Sequence, residues 1–225
     1  MSSEVWSVFF FTLRSALLGL CWAGPIGIGL AWALAKRDWP GKAWVETLVA
    51  VPLVLPPVAT GILLLKLLGR RGPVGGPLYA SWGWDLAFSP VAVAIAMGVM
   101  AFPLLVRAAR VAFEEVPKRY EDLAKTLGLN ERLVFLRVTF PLARRGLLSG
   151  LLLGFARAMG EFGATITLAG AIPGRTETVA SAIYQRLQLG QDEAVLPLVA
   201  LSLASALFLL WAAEQWLRPA KQAPR

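Results

Sequence analysis

The chain has 225 residues, 57% of them hydrophobic and only 16% charged, whereas an ordinary soluble domain carries about 25% charged residues. It has one cysteine and no histidine, which excludes an internal disulfide, a cysteine metal cluster, and most zinc sites and imidazole-dependent hydrolases. The formal net charge of +8 accompanies a mean hydropathy of +0.63, so it belongs with the Lys- and Arg-rich loops of a membrane protein and not with nucleic-acid binding.

The apolar residues are gathered into five runs, near 8–35, 44–68, 89–111, 146–169 and 195–217. Each is long enough to cross a hydrocarbon core, which takes roughly 20 apolar residues as helix. Helix is the expected form, because lipid offers the backbone no hydrogen-bond partner, and the short alternating strands of an outer-membrane barrel are absent. The expected fold is an all-α integral membrane protein of about five transmembrane helices. It forms one domain over 1–225 with a single large polar loop, 112–144.

The first run lacks the basic flank of a cleaved signal, carries Glu4 instead, and is too long for a signal core. It reads as the first membrane helix, with Cys21 in its middle. The second run contains Val51-Pro52-Leu53-Val54-Leu55-Pro56-Pro57. Pro52, Pro56 and Pro57 interrupt the helical hydrogen-bond ladder. A broken helix at membrane depth is either a packing kink or a wall of a pathway or gate. The connection that follows carries Arg70, Arg71, Tyr79, Trp82 and Trp84, and its tryptophans read as an interfacial belt.

After the third run comes the polar loop. Pro117 suits a first helical turn. Tyr120, Leu123, Ala124 and Leu127 form an apolar stripe at i, i+3, i+4 and i+7, with Glu121, Asp122 and Lys125 off it. Gly128 is placed to end the helix in the left-handed region, and Asn130 to cap the next one. Pro141 kinks or restarts the chain as it enters the fourth run. Such a helix either docks another protein or lies on the lipid headgroups; the stripe alone does not decide.

The fourth run contains Phe155-Ala-Arg-Ala-Met-Gly-Glu-Phe-Gly-Ala-Thr-Ile-Thr167. Arg157 and Glu161 are four apart and share a helix face. Counted from Gly146, they lie about 16 Å and about 22 Å into the membrane at 1.5 Å per residue. Ionisable groups there face the bundle interior. They are either a neutralised packing pair or part of a pathway wall with Phe162, Gly163 and Thr165. Gly160 and Gly163 allow another helix to approach closely.

Basic residues decide the orientation. Loops 36–43 and 107–145 and the tail 218–225 carry fifteen Lys or Arg, against four in 1–6, 70–87 and 170–194. The N-terminus is expected outside and the C-terminus in the cytoplasm. A phosphate-cradling Gly-x-x-x-x-Gly-Lys-Ser/Thr loop is absent, so any ATP would be hydrolysed elsewhere.

The loop resembles the cytoplasmic EAA loop of ATP-binding-cassette importer permeases, whose pattern is Glu-Ala-Ala, three residues, Gly, nine residues, Ile, any residue, Leu-Pro. Asp122, Leu123, Ala124, Gly128, Val138, Phe140 and Pro141 stand at those separations. Leu123 departs from the family's Ala, and either Glu121 or Asp122 is placed to supply the acid. Trp39-Pro-Gly-Lys-Ala, the proline run, Gly69-Arg-Arg-Gly72, the fourth-run motif and Ile172-Pro-Gly-Arg-Thr176 look more narrowly like the permease subunits of molybdate importers, over about residues 36–190. Some of that family carry an additional N-terminal helix, for which this sequence has no room.

This resemblance implies an inner-membrane homodimer that binds no cofactor, catalyses no reaction and holds no metal. Two copies of a cytoplasmic ATPase with ATP and magnesium would grip Tyr120, Glu121, Asp122, Ala124, Gly128 and Pro141. An external binding protein would deliver molybdate or tungstate. The related alternative is a sulfate or thiosulfate permease. An ion-coupled secondary transporter is a different class, and it usually shows an inverted repeat that is not visible here. A membrane-embedded enzyme lacks the necessary nucleophile–base or metal constellation.

Overall fold

Small residues at helical spacing decide how the first apolar run packs. In a computed structural model, which describes residues 3–217, that run is α1, Ser3–Lys36, with Ala16, Gly19, Ala23, Gly27 and Ala31 on a buried stripe. The stripe meets α5, Pro90–Glu114. A Cβ on Gly19 would come within 2.8 Å of the Ala94 carbonyl oxygen, so the two backbones touch there as small residues allow. Gly27 lies against Leu105 and Val106 farther along, so α1 and α5 run parallel. The central helix α5 starts where Ser89 Oγ accepts the Ala92 N–H at 3.2 Å, with Pro90 at the first position. On its other side α8, Phe140–Met159, runs antiparallel, its Gly146, Gly150 and Gly154 facing Ala112, Ala108 and Leu105.

The second apolar run is a bent pair. α2, Lys42–Val54, and α3, Pro57–Leu68, meet at 114°. Leu55 and Pro56 each precede a proline and are therefore extended, with ψ 144 and 133. Pro57, which has no N–H to lose, starts the new helix. Pro52 lies inside α2, one turn before the break. The pair begins beside the C-terminal end of α5, where Glu46 meets Arg110 at 2.7 Å. It finishes beside the N-terminal end, with Leu65 and Leu68 packed on the cluster of Ala92 and Val93.

The fourth run is also bent. α8 and α9, Gly163–Ala169, meet at 61° across Gly160, Glu161 and Phe162. Three helical stretches, Ser3–Lys36, Pro90–Glu114 and Asp192–Ala213, are each long and apolar enough to cross a membrane alone, and the bent pairs raise the number to as many as five. The last stretch belongs to α11, Asp192–Leu217. The basic tail, 218–225, lies outside the described residues, as do residues 1 and 2.

Two stretches expected as loops contain helices. α4, Gly75–Trp82, ends on Gly83 at φ 66. There Arg70 pairs with Asp85 at 2.8 Å and lies over the Tyr79 ring, while Trp82 and Trp84 are exposed. α10, Val179–Gln188, opens with a reciprocal capping box between Thr178 and Ser181. It holds the start of α1 through Arg186 and Glu4 at 2.7 Å and through the Val179 N–H donated to Thr12 Oγ1 at 2.9 Å.

Candidate functional site

The polar loop folds into a short helix, α6, Lys118–Thr126, entered from Pro117 in an extended conformation. Gly128 has φ 84. The Leu129 N–H reaches the Ala124 carbonyl at 3.2 Å and the Gly128 N–H the Lys125 carbonyl at 3.0 Å, a complete Schellman stop. Asn130 then accepts the Leu133 N–H at 3.0 Å and starts α7, Glu131–Val134. A π-helical turn, Phe135–Thr139, carries α7 into α8, with Pro141 in the first turn of α8. The wider turn lets the Phe140 N–H bond to the Phe135 carbonyl before the proline removes a donor.

The residues of α6 divide by direction. Glu121 is turned inward. It receives Lys36 Nζ at 3.1 Å on one carboxylate oxygen and the Thr139 hydroxyl at 2.6 Å on the other. Lys36 also donates to the Val116 carbonyl at 3.1 Å. The clamp ties α6 to the end of α1 and to the π-helical turn, at the edge of a cavity of about 490 Å³. Ala124 is buried beside it. Facing out are Asp122, Tyr120, Leu123 and Leu127, the last two 60% and 76% exposed. Three of the four stripe residues, Tyr120, Leu123 and Leu127, are thus presented to the surroundings, and only Ala124 is buried. Lys36 and Thr139 are the partners of Glu121 that sequence reasoning missed. Their partner is 85 and 18 residues away, and no local pattern couples them.

The second group lies where the two bends meet. Gly163 abuts Pro57, and a Cβ there would be 2.7 Å from the proline ring. Gly61 abuts Ala164 and Thr167 in the same way. The Glu161 side chain is 1% exposed. It accepts Arg157 Nη1 at 2.7 Å and the Ala164 N–H at 2.8 Å, so it neutralises the arginine and satisfies a free donor in the first turn of α9. The Thr165 hydroxyl donates to the Phe162 carbonyl at 2.8 Å, and the Phe162 ring lies 4.9 Å from that of Tyr184. The structure brings Pro57, Phe162, Gly163, Thr165, Arg157 and Glu161 to one seam. Pro56 stands exposed at its edge, and Pro52 is apart from it within α2. Thr60, also on α3, has a buried hydroxyl with no partner among the described residues. With its charge matched by Glu161, Arg157 is not a standing cation for an anion to occupy.

A family model described as "Binding-protein-dependent transport system inner membrane component" matches residues 23–218. The chain belongs to this family of inner-membrane transport components. It is 42% identical over 218 residues to the molybdenum transport system permease protein ModB of Escherichia coli (strain K12), covering 96% of this chain and 95% of that one. It is 36% identical over 188 residues to the sulfate transport system permease protein CysW of Synechocystis, covering 84% and 68%. Its fold matches the inward-facing MetNI methionine ABC transporter with a TM-score of 0.70 at 16% identity, covering 97% and 98%. The family member described here is therefore an all-helical inner-membrane permease with the ABC-transporter permease fold.

Proposed function

We propose that this chain is the membrane permease of an ATP-driven importer of molybdate or tungstate. The observation that carries the reading is the 42% identity to a molybdenum permease sustained over 96% of the chain, stronger and longer than the likeness to a sulfate permease. The permease acts as a homodimer. The exposed apolar wall of α2 supports this, with Trp44, Leu48 and Val54 between 72% and 83% exposed. Its N-terminus faces outside, which places α6 in the cytoplasm, in agreement with the basic loops.

An ATP-binding-cassette ATPase dimer holds ATP and magnesium and grips the outward side of α6 through Tyr120, Asp122, Leu123 and Leu127. Glu121 and Ala124 hold the helix in place from within. Closure of the ATPases draws two copies of α6 together, and the rigid Lys36–Glu121–Thr139 clamp passes that movement to α1 and α8. The seam between α3 and α9 is the part of the pathway wall that shifts. A molybdate- or tungstate-binding protein supplies the oxyanion at the opposite face.

The test is reconstitution in liposomes with the ATPase and binding protein encoded beside this chain, measuring uptake and ATP hydrolysis with molybdate, tungstate and sulfate. Stimulation by molybdate or tungstate is expected. Stimulation by sulfate alone would move the substrate, and failure to assemble with the ATPase would overturn the proposal.

A further inference from the structure

A cavity of about 560 Å³ opens on the side of the bundle between α1, the start of α5 and the 172–175 connection. Its polar edge is formed by Arg14 and Arg175, and beneath them Leu18, Trp22 and Ile95 make an apolar wall. Among the described residues neither arginine has a carboxylate within ion-pair distance or a side-chain hydrogen bond. Arg157 and Arg186, also in or beside spans, each hold a carboxylate at 2.7 Å. Two exposed cations with nothing to neutralise them, set above an apolar wall, call for an anion from outside the chain.

Their depth identifies the anion. α1 is 34 residues long, more than the roughly 20 that cross a bilayer. Counting back about that many from Lys36 reaches the neighbourhood of Arg14. The same level marks the start of α5 at Pro90, because Gly19 lies against Ala94. Arg14 therefore sits at the headgroup boundary of the leaflet opposite α6, while Leu18, Trp22 and Ile95 lie below it in the hydrocarbon. The N-terminus of α5, with its partial positive charge, opens onto the same cavity through Pro90 and Val91.

We propose that this cavity is a specific site for one anionic phospholipid. Arg14 and Arg175 bind the phosphate and an acyl chain lies along the α1–α5 groove. A soluble partner reaching the arginines from outside would leave the apolar wall beneath them unused, which favours lipid. The site does not depend on which oxyanion is carried or on which way the chain is oriented.

The test is native mass spectrometry of the full chain in detergent, titrated with phosphatidylglycerol or phosphatidylcholine. One phosphatidylglycerol per copy is expected to survive preferentially. The R14Q/R175Q variant should bind it on the order of tenfold more weakly, given the attraction of each basic side chain to anionic lipid. The R14K/R175K variant should retain it, and unchanged thermal unfolding of both variants would show that the fold is intact. Equal retention of the two lipids, or equal retention by wild type and the glutamine variant, would overturn the proposal. So would displacement by millimolar inorganic phosphate with no preference among lipids. A glutamine variant that keeps phosphatidylglycerol but loses the external binding protein would assign the arginines to that protein instead.

Discussion

Glu161 and Glu121 are both carboxylates enclosed by the fold, and their surroundings give them different tasks. Glu161 is satisfied by Arg157 and by the start of α9. Removing the arginine leaves a buried charge without its counter-ion, a loss typically of about 3–5 kcal/mol. Arg157→Ala should lower the thermal stability of the purified permease markedly, and adding Glu161→Gln should restore part of it. An unchanged melting temperature in Arg157→Ala would mean that the pair is not buried in the working protein. Glu121 instead positions α6. Glu121→Ala should weaken ATPase binding and also speed proteolysis within 112–144, because Lys36 and Thr139 lose their shared partner. Asp122→Ala should weaken ATPase binding with proteolysis unchanged, since Asp122 is exposed and holds nothing inside. Identical behaviour of the two variants would refute this division.

At the scale of elements, the stops and breaks were legible where one residue dictates the backbone. Gly128, Asn130 and the proline run each act as their chemistry requires. The break between α8 and α9 was harder to read, because Gly160-Glu161-Phe162 contains no proline and sits in an apolar run that reads as one helix. α10 had a legible signal, Thr178 followed three residues later by Ser181, but it falls in a stretch whose polarity reads as a loop. The inward turn of Glu121 was not legible, since it rests on contacts with distant residues. Gly128→Val puts a β-branched residue at φ 84, where an ordinary side chain costs about 1–2 kcal/mol. Co-purification with the ATPase should fall while membrane insertion stays normal. Gly163→Leu would drive a side chain into Pro57 and push α3 from α9. Transport should fail while ATPase binding persists; transport at the wild-type rate would remove the seam from the pathway.

At the scale of the whole molecule, the length and spacing of the apolar runs announce a helical membrane protein, but they do not say which walls face lipid, a second copy or water. Cys21 offers a direct probe. It is the only cysteine, and it lies exposed on the wall of α1, fifteen residues before Lys36. At 1.5 Å per residue that places it about 22 Å from the α6 end of the bundle, deep in the hydrocarbon. A charged reagent does not enter the hydrocarbon. In intact cells Cys21 should resist a charged, membrane-impermeant maleimide, including during turnover, as expected for a thiol on an apolar helix wall that faces lipid. The denatured chain should label fully, which shows that the thiol is present and unmodified. Rapid labelling in cells would put an aqueous passage on the α1 wall and move the pathway away from the α3–α9 seam.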